Sequence, residues 1–380
     1  KWMFDKEAPL LFRPQLDWDQ WRWGLKFLAQ CNDTAFERNV QQIVALGAYS
    51  HAALKDLVAS TGIEYNRLER GIAHFYTDQK SFDAAGHAVE LMRKFGVQRR
   101  LVSRDELLKI EPAFKAYGDK ITGGTYTSTD ESGDARVFTQ ELARRCAARG
   151  AQFLYGHDVL RLNKIGDAID SVAVIARNTG AGGQKDFILK GDAFVVACGS
   201  YSAPLLRPGG VGLPHYPREG HRPPFPPLKT AGAPMVSTID DGKKIAMSRL
   251  GNVLRVAGTI ELGGFDMSLD SPVARARCHM LSRRIAEILP GVCDTRTPEE
   301  GGNPQYWTGL RPATPTNIPF IGQTRVGKLW VNAGHGTLGW THGAGSGKAM
   351  AELLSGEVPA MNFGFLGVQA PRAVRGTVAA

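Results

Sequence analysis

A short strand, a glycine-rich turn and a helix are predicted in succession near the C-terminal end of the chain, and they constrain the fold more than any other segment. The apolar residues 328 to 333 form a strand pattern, and small and apolar residues from 341 to 354 form a helix pattern. Between them, Gly334, Gly336 and Gly339 let backbone N–H groups approach a ligand without a Cβ in the way. Because a helix N-terminus favours negative charge, the sequence predicts an anion, or a group that becomes one, at this turn.

The spacing Gly334-x-Gly336-x-x-Gly339 also matches the dinucleotide-binding fingerprint. That fingerprint requires a second strand and an acidic residue roughly 20 positions later, within one βαβ unit. No such continuation follows in the sequence, which argues against this interpretation and against a nicotinamide enzyme. We favour a helix end that faces another part of a cofactor, and an ordinary strand-to-helix turn is the structural alternative.

Size and charge bound the class of protein. With 380 residues, 43% of them hydrophobic and 22% charged, the chain is expected to be globular and large enough for two domains. The 46 lysines and arginines exceed the 37 acidic residues, and the net charge of +9 is compatible with nucleic acid, phospholipid or an acidic substrate as a partner. The basic residues are scattered rather than grouped with aromatic residues, so nucleic-acid binding is not expected.

The cysteines and the hydropathy pattern bear on the compartment. Five cysteines, an odd number at wide spacings, indicate neither a disulfide framework nor a zinc site, so we expect a reducing compartment and no metal site. No apolar stretch of the sequence is long enough to span a bilayer, and no signal-peptide pattern is recognisable. The first residue is Lys1, within an amphipathic pattern, and we therefore expect the natural N-terminus to lie upstream.

The first part of the chain is predicted to be mostly helical. Trp18, Trp21 and Trp23 lie in an aromatic-rich helix pattern, and two further helix patterns cover residues 39 to 59 and 82 to 95. The tryptophans are compatible with contact to a membrane surface. Aromatic stripes at helical spacing are more often buried in a core, and that alternative is the more common one.

The middle of the chain has the layout of a nucleotide-binding α/β domain. Asp134 is a predicted helix N-cap, and strand patterns follow at residues 153 to 162, 168 to 176 and 186 to 189. A further apolar strand ends at Gly199. Such a strand places backbone groups where a cofactor can approach the carboxyl edge of a sheet.

The composition then changes between residues 211 and 227, which contain six prolines. Because proline cannot donate a hydrogen bond to a strand ladder, a loop or an edge strand is expected there. Antiparallel strands are predicted at residues 245 to 247 and 253 to 259, and a helix at residues 272 to 289.

Four motifs carry a family resemblance. They are Thr-Asp-Glu-Ser-Gly-Asp at 129 to 134, Ala-Cys-Gly-Ser-Tyr-Ser at 197 to 202, Tyr-Trp-Thr-Gly-Leu-Arg-Pro at 306 to 312, and the strand and turn at 332 to 341. Together they resemble the bacterial D-amino acid dehydrogenases, which belong to the wider FAD-dependent D-amino acid oxidase superfamily. The similarity extends from the tryptophan-bearing segment to about Pro359.

The resemblance implies a mixed α/β (α+β) fold with two domains. An FAD-binding, Rossmann-like domain, N-terminally incomplete, would comprise residues 128–210 and 300–360. A substrate or cap domain built on an antiparallel sheet would comprise residues 1–127 and 211–299. Residues 361–380 would form a tail.

The sequence departs from the family pattern in two places. The family opens with a strand, a G-x-G-x-x-G turn and a second strand with an acidic residue, which together hold the ADP half of FAD, and this sequence contains none of them. In the substrate domain, the family has a strand of the Gly-Tyr-Ser type, whereas this chain has Gly220-His221 followed by the proline-rich stretch. His221 therefore takes the place of a tyrosine that, by the resemblance, would line the substrate pocket.

The resemblance also implies roles for individual residues. Arg311 would bind the substrate carboxylate through two parallel hydrogen bonds, although an isolated arginine is usually a solvated surface residue. His335 would tune or cover the flavin, with a structural hydrogen-bonding role as the alternative. Backbone contacts to the adenosine half are implied for Val159 and Gly199, for which ordinary strand packing is the alternative. Further cofactor contacts are implied for Gly309, Gly334, Gly336, Thr337, Leu338, Gly339 and Thr341.

The expected activity is the FAD-dependent oxidation of a D-amino acid such as D-alanine to an imino acid, which hydrolyses to a 2-oxo acid and ammonia. The resemblance implies transfer of the electrons to a quinone or respiratory carrier, and a cytoplasmic protein peripheral to the inner membrane. Alternatives are another amine oxidoreductase of the superfamily, acting on glycine, sarcosine or D-hydroxyproline, and a catalytically incomplete fragment. The patterns specify neither the substrate side chain nor an oligomeric state.

Overall fold

The computed structural model describes residues 9–177, 186–222 and 232–368, apart from the side chains at 221 and 222. The chain divides into two compact units. The first unit draws on residues 1–22, 57–152 and 216–311, and the second on residues 23–56, 153–215 and 312–380. The predicted assignment of FAD binding and substrate binding to separate parts of the chain stays a prediction.

The described residues contain eight α-helices and fifteen strands. The helices are α1 (Trp18–Leu28), α2 (Asp33–Thr61), α3 (Gln79–Lys94), α4 (Arg104–Ile110), α5 (Ala135–Ala147), α6 (Ser202–Leu206), α7 (Pro272–Ile288) and α8 (Gly339–Leu354). The strands are β1 (Leu10–Phe12), β2 (Ile72–Tyr76), β3 (Arg99–Ser103), β4 (Gly123–Thr127), β5 (His157–Ile165), β6 (Ala168–Ala176), β7 (Phe187–Lys190), β8 (Phe194–Val196), β9 (Tyr216–Arg222), β10 (Ser237–Asp240), β11 (Ile245–Leu250), β12 (Val253–Leu262), β13 (Trp307–Ala313), β14 (Phe320–Gln323) and β15 (Leu329–Ala333).

The first unit is built on one large sheet, whose strands follow the order β13-β9-β12-β11-β10-β2-β4-β3, with β1 parallel to β12. The pairs β10–β11, β11–β12 and β12–β9 are antiparallel. Helix α7 begins at the N-cap Ser271, whose hydroxyl accepts from the backbone N–H of Ala274. Its buried residues join those of β11 and β12 in the main apolar cluster of this unit, so the mixed α/β fold with an antiparallel-sheet unit is confirmed.

The expectation of a loop or edge strand between residues 211 and 227 was wrong for Tyr216–Arg222. These residues form β9, which lies between β13 and β12. Pro217 lies near the start of the strand and precedes Glu219, the first β9 residue in register with β12, which is a position where a strand tolerates proline. The prolines at 223 to 227 lie outside the described residues.

The expectation of a mostly helical N-terminal region was also wrong in part. Strands β2, β3 and β4 interrupt the helices and enter the large sheet. Strand β2 pairs in parallel with β10, which lies far along the chain, and antiparallel with β4. A pairing partner so remote leaves no local pattern, which explains why the strand was missed.

The second unit contains two three-stranded sheets, β14-β15-β8 and β5-β6-β7. Strands β8 and β15 are parallel, and helix α8 follows β15 as its sequence pattern predicts. The middle of α2 packs closely on α8, where the backbone N–H of Gly345 donates to Ser50 Oγ at 3.0 Å. Within the described part of the chain, no helix is both long and apolar enough to cross a membrane.

Candidate active site

Two glycine-containing turns lie at the carboxyl edge of the β14-β15-β8 sheet. Because β8 and β15 are parallel and adjacent, their carboxyl ends meet at one edge of the sheet. A short 3-10 helix at Gly199–Tyr201 follows β8, and another at Gly336–Leu338 follows β15. This edge is where ligands bind in open α/β sheets.

The turn after β15 takes a backbone shape that favours glycine. Gly334 has φ +90° and Gly336 has φ +55°, both in the left-handed region. Helix α8 begins directly after this turn, and no side chain caps its N-terminus. The first-turn N–H groups of α8 therefore keep the anion-favouring character that the sequence predicts.

Two histidines lie at this turn and in the first turn of α8: His335 is partly buried and His342 is buried. His335 Nε2 hydrogen-bonds to Ser346 Oγ at 2.8 Å, and the ring of His342 lies 6.4 Å from that of His335. The pKa of His335 is lowered to about 4, mainly by burial and also by the neighbouring His342. Burial also lowers the pKa of His342 to about 4, and a hydrogen bond to the backbone of Ile43 opposes this shift. Both rings are therefore neutral at pH 7.

Several buried polar atoms of the second unit have no hydrogen-bonding partner among the described residues. They are Ser200 Oγ, Ser202 Oγ, His215 Nδ1, Asn332 Oδ1 and His342 Nδ1. Buried polar atoms are rarely left unsatisfied in a folded protein, because each costs about 1–3 kcal/mol. Ser200 belongs to the turn after β8 and Asn332 to the end of β15, so part of this set lies at the same sheet edge. The arrangement fits a polar, partly anionic cofactor such as FAD.

The predicted adenosine contacts lie in the same unit. Gly199 has φ +55°, and a Cβ added there would meet no atom within 4 Å, so its backbone is open on that side. Val159 lies on β5, opposite Val174, with a 45% exposed side chain. Of the remaining predicted contacts, Thr337, Gly339 and Thr341 are exposed.

The predicted substrate cation belongs to the first unit. Arg311 lies on β13, and its Nη1 donates to the backbone oxygen of Glu219 at 3.4 Å and to that of Thr259 at 3.3 Å. The guanidinium lies against Gly220, since a Cβ at that position would stand 1.8 Å from Nη1. Two backbone carbonyls and a bare Cα therefore orient the cation.

A strained residue supplies one of these carbonyls. Thr259 has φ +62°, a conformation that β-branched residues rarely adopt. It lies where the β12–β9 register shifts between Gly258 and Glu261, which marks a bulge. Bulges turn backbone and side chains toward sites, and strain of this kind costs about 1–3 kcal/mol and clusters at ligand clamps.

A buried carboxyl pair lies next to this arrangement. Glu219 and Glu261 face each other across β9 and β12 and are 3% and 1% exposed. Glu219 Oε1 accepts from the Thr308 hydroxyl at 2.8 Å, and Arg13 donates to Glu261 at 2.5 Å. The pKa of Glu219 is raised to about 6, mainly by burial and also by the charges of Glu261 and Asp266, while Thr308 and Arg13 oppose the shift.

Sequence reasoning missed most of this second group. Glu219, Thr259 and Gly220 were not assigned roles, although a glycine inside a strand pattern is a signal for close approach of another group. Gly309, a predicted cofactor contact, faces the ring of Trp307, which a Cβ would meet at 2.3 Å. His221 is a residue of β9, and its side chain lies outside the described residues. The roles of the predicted site residues stay predictions.

The lowered pKa values of His335 and His342 make the free energy of unfolding depend on pH. Because folding lowers both pKa values, the unfolded chain binds more protons between about pH 6.5 and pH 4, and the folded state loses stability as the pH falls through that range. We expect a loss of about 1.4 kcal/mol per pH unit for each histidine. Urea unfolding at a series of pH values measures it.

The matched variant for this measurement is His342→Gln, which removes one titrating ring. Its free energy of unfolding should fall less steeply with decreasing pH below about 6, by a slope that corresponds to up to one proton. A slope equal to that of the unsubstituted chain would show that His342 titrates normally when folded.

Three comparisons with known proteins bear on this site. A family model described as DAO, FAD dependent oxidoreductase, matches residues 11–353. The D-amino acid dehydrogenase of Dechloromonas aromatica is 45% identical over 96% of this chain and 84% of its own length, and that of Methylobacterium radiotolerans is 37% identical over 94% and 81%. The crystal structure of glycine oxidase from Geobacillus kaustophilus superposes with a TM-score of 0.70 at 22% identity, covering 84% of this chain and 81% of that chain, a likeness that bears on the fold alone.

Proposed function

We propose, on the premise that this chain belongs to the FAD-dependent oxidoreductase family, that it is a dehydrogenase of D-amino acids such as D-alanine. The family and FAD as the cofactor, both expected from the sequence motifs, are confirmed by the match over residues 11–353. Relatives named D-amino acid dehydrogenase match 94% or more of the chain at 36–45% identity. The substrate loses a hydride from Cα and a proton from the amino nitrogen, and water then hydrolyses the imino acid to a 2-oxo acid and ammonia.

The orientation of Arg311 is the observation that carries this proposal. An amino acid presents a carboxylate, and a guanidinium binds a carboxylate through two parallel hydrogen bonds. Arg311 is held by the carbonyls of Glu219 and Thr259, so the cation does not have to be ordered when the substrate arrives. We assign Arg311 as the carboxylate clamp.

The second unit supplies the residues that would hold FAD. When bound, FAD would supply the hydride acceptor of the reaction. The backbone at Gly199 and Gly336 has room for a ligand at the carboxyl edge of the sheet, and the uncapped start of α8 would supply N–H groups there. Donors directed at a group that becomes negative stabilise that charge without reorganising. Val159 and Thr341 are further proposed contacts in this unit, and Gly309, a residue of the first unit, is proposed separately.

His335 acts in this proposal as a neutral hydrogen-bonding group. Its low pKa keeps the ring uncharged at pH 7, and its bond to Ser346 fastens the turn to α8. A neutral ring beside the turn adds no charge of its own, so the electrostatic preference of the α8 N-terminus is preserved.

The electron acceptor and the membrane contact are proposed from the family and from the surface of the first unit. We propose a quinone or respiratory carrier as the acceptor, and peripheral contact with the cytoplasmic face of the inner membrane. Trp18 and Trp21 are 80% and 46% exposed at the start of α1, and Leu16 before them is fully exposed. Tryptophan is enriched at membrane interfaces. Co-sedimentation with phospholipid vesicles tests this contact. If it forms, the Trp18→Ser variant should bind the vesicles more weakly than the unsubstituted chain.

Anaerobic titration of the flavoprotein with D-alanine, and separately with L-alanine, tests the activity. Bleaching of the flavin absorbance by the D form alone is the expected result, because the relatives that share most of this chain are named D-amino acid dehydrogenases. Glycine, sarcosine and D-hydroxyproline serve as competitor substrates. Faster flavin reduction by one of these three than by any D-amino acid tested would reassign the substrate class.

A further inference from the structure

We propose that Glu219 is a positioning residue for the Arg311 clamp, and that its proton holds β9 and β12 in the arrangement that orients the guanidinium. The inference rests on the proposed function, since it concerns how tightly the clamp binds a substrate carboxylate. It adds a residue that takes no part in the chemistry and touches neither substrate nor cofactor.

Glu219 is connected to the clamp in two ways. Its backbone oxygen is one of the two acceptors of Arg311 Nη1, and its side chain accepts from Thr308, three residues before Arg311 on β13. Successive side chains of a strand point to opposite faces. Because the guanidinium lies over Gly220, the carboxyl group of Glu219 lies on the other face of β9. Glu219 therefore acts on Arg311 through the backbone rather than by direct contact of its side chain.

The environment of Glu219 penalises a second negative charge. Glu261 on β12 is its cross-strand partner, and Asp266 follows in the loop after β12. On α7, the charge of Glu219 raises the pKa of the buried Cys278 thiol, and the charge of Arg277 lowers it. Arg277 Nη2 donates to the backbone oxygen of Ile260 on β12. Two like charges directly opposite each other on neighbouring strands are destabilising.

The cation whose charge opposes the raised pKa of Glu219 is Arg13. Arg13 bonds directly to Glu261 and lies 3.9 Å from Asp266, so it offsets part of the repulsion within the pair. Arg311 is bound to the backbone oxygen of Glu219, on the other side of the strand. When Glu219 loses its proton, the repulsion from Glu261 acts on the strand pair that contributes both carbonyls to Arg311 Nη1.

Ionisation of Glu219 weakens carboxylate binding by Arg311 in two ways. Ionised Glu219 pushes β9 and β12 apart and also lowers the positive potential at Arg311. Both effects weaken the binding of a carboxylate. The KM for a D-amino acid should therefore rise as the pH passes through the pKa of Glu219, near 6.

Glu219→Gln is the decisive variant, because glutamine keeps an acceptor for Thr308 and cannot ionise. For the holoenzyme with D-alanine, we expect the KM to rise on the order of fivefold between about pH 5 and about pH 8, with its midpoint near pH 6. Glu219→Gln should keep the low-pH KM throughout, with kcat unchanged at each pH. A KM that is independent of pH in the unsubstituted enzyme, or an inflection that persists in Glu219→Gln, would overturn the assignment.

Asp266→Asn supplies a second, directional test. Asp266 is exposed and its negative charge raises the pKa of Glu219, so its removal should move the KM midpoint to lower pH. A purely structural role of Glu219 predicts no movement, and an unmoved midpoint would count against the inference.

Infrared spectroscopy of the holoenzyme without substrate separates this inference from the proposed function. A protonated-carboxyl band that disappears near pH 6, and that is missing in Glu219→Gln, is the expected result. Without such a band the inference fails while the dehydrogenase activity stands. If no D-amino acid reduces the flavin, the proposed function fails, and the clamp inference fails with it.

Discussion

Replacing Arg311 by alanine is expected to raise the KM for D-alanine by roughly 100- to 1,000-fold. Removing one partner of a buried, hydrogen-bonded charge pair costs about 2–5 kcal/mol, and each 1.4 kcal/mol is a factor of ten. The loss falls on binding because the carboxylate is held alike in the ground state and the transition state. Steady-state kinetics give KM and kcat. Stopped-flow measurement of flavin reduction gives the half-saturating substrate concentration and the maximal reduction rate, which separate binding from the chemical step.

Arg311→Lys distinguishes charge from geometry. Lysine keeps the positive charge and loses the planar fork, so a KM between those of the alanine variant and the unsubstituted enzyme is expected. A KM equal to that of Arg311→Ala would show that the two parallel hydrogen bonds carry the whole effect.

Arg144→Ala is the matched control for Arg311→Ala. Arg144 is an exposed arginine of α5 in the same unit, and it pairs only across the helix surface with Glu141 at 3.0 Å. Exposed pairs of this kind contribute little, so neither KM nor stability should change measurably. If Arg311→Ala left the KM as Arg144→Ala does, the clamp assignment would be withdrawn.

Local signals explain which elements could be predicted from the sequence. The strand, turn and helix at residues 328 to 354 correspond to β15 and α8. Asp134 caps α5 as predicted, since its side chain accepts from the N–H groups of Arg136 and Val137. In each case the hydrophobic pattern and the residues that start or end the element lie within a few positions of each other, so no remote contact is needed.

Remote contacts explain what could not be predicted. The arrangement around Arg311 requires β13, β9 and β12 to become neighbours, although β12 and β13 are separated by α7 along the chain. The positive φ of Thr259 arises from the bulge between β12 and β9, and threonine itself favours ordinary strand geometry. The family resemblance pointed to Arg311, but the groups that orient it become visible only when the strands are assembled.

Gly220→Ala tests this assembled arrangement with a single methyl group. The new Cβ would lie 1.8 Å from Nη1, 2.1 Å from Cζ and 2.2 Å from Nη2 of Arg311, so the guanidinium has to move. A displacement of about 1 Å in a positioned group can cost on the order of 100-fold, and we expect the KM for D-alanine to rise by about that factor. Stability should change little, because the atoms that must move are the end of a flexible side chain.

Gly86→Ala makes the same chemical change where the structure has room. Gly86 lies in α3 of the same unit, and its nearest new contact would be Leu101 Cδ1 at 3.8 Å. Alanine within a helix should stabilise by up to about 1 kcal/mol and leave the KM unchanged. A displaced clamp predicts that Gly220→Ala raises the KM and leaves thermal unfolding unchanged. Gly86→Ala should raise the thermal stability and leave the KM unchanged. Equal KM values for both variants would mean that the guanidinium binds substrate from another orientation, and a large loss of stability in Gly220→Ala would mean that β9 itself is disrupted.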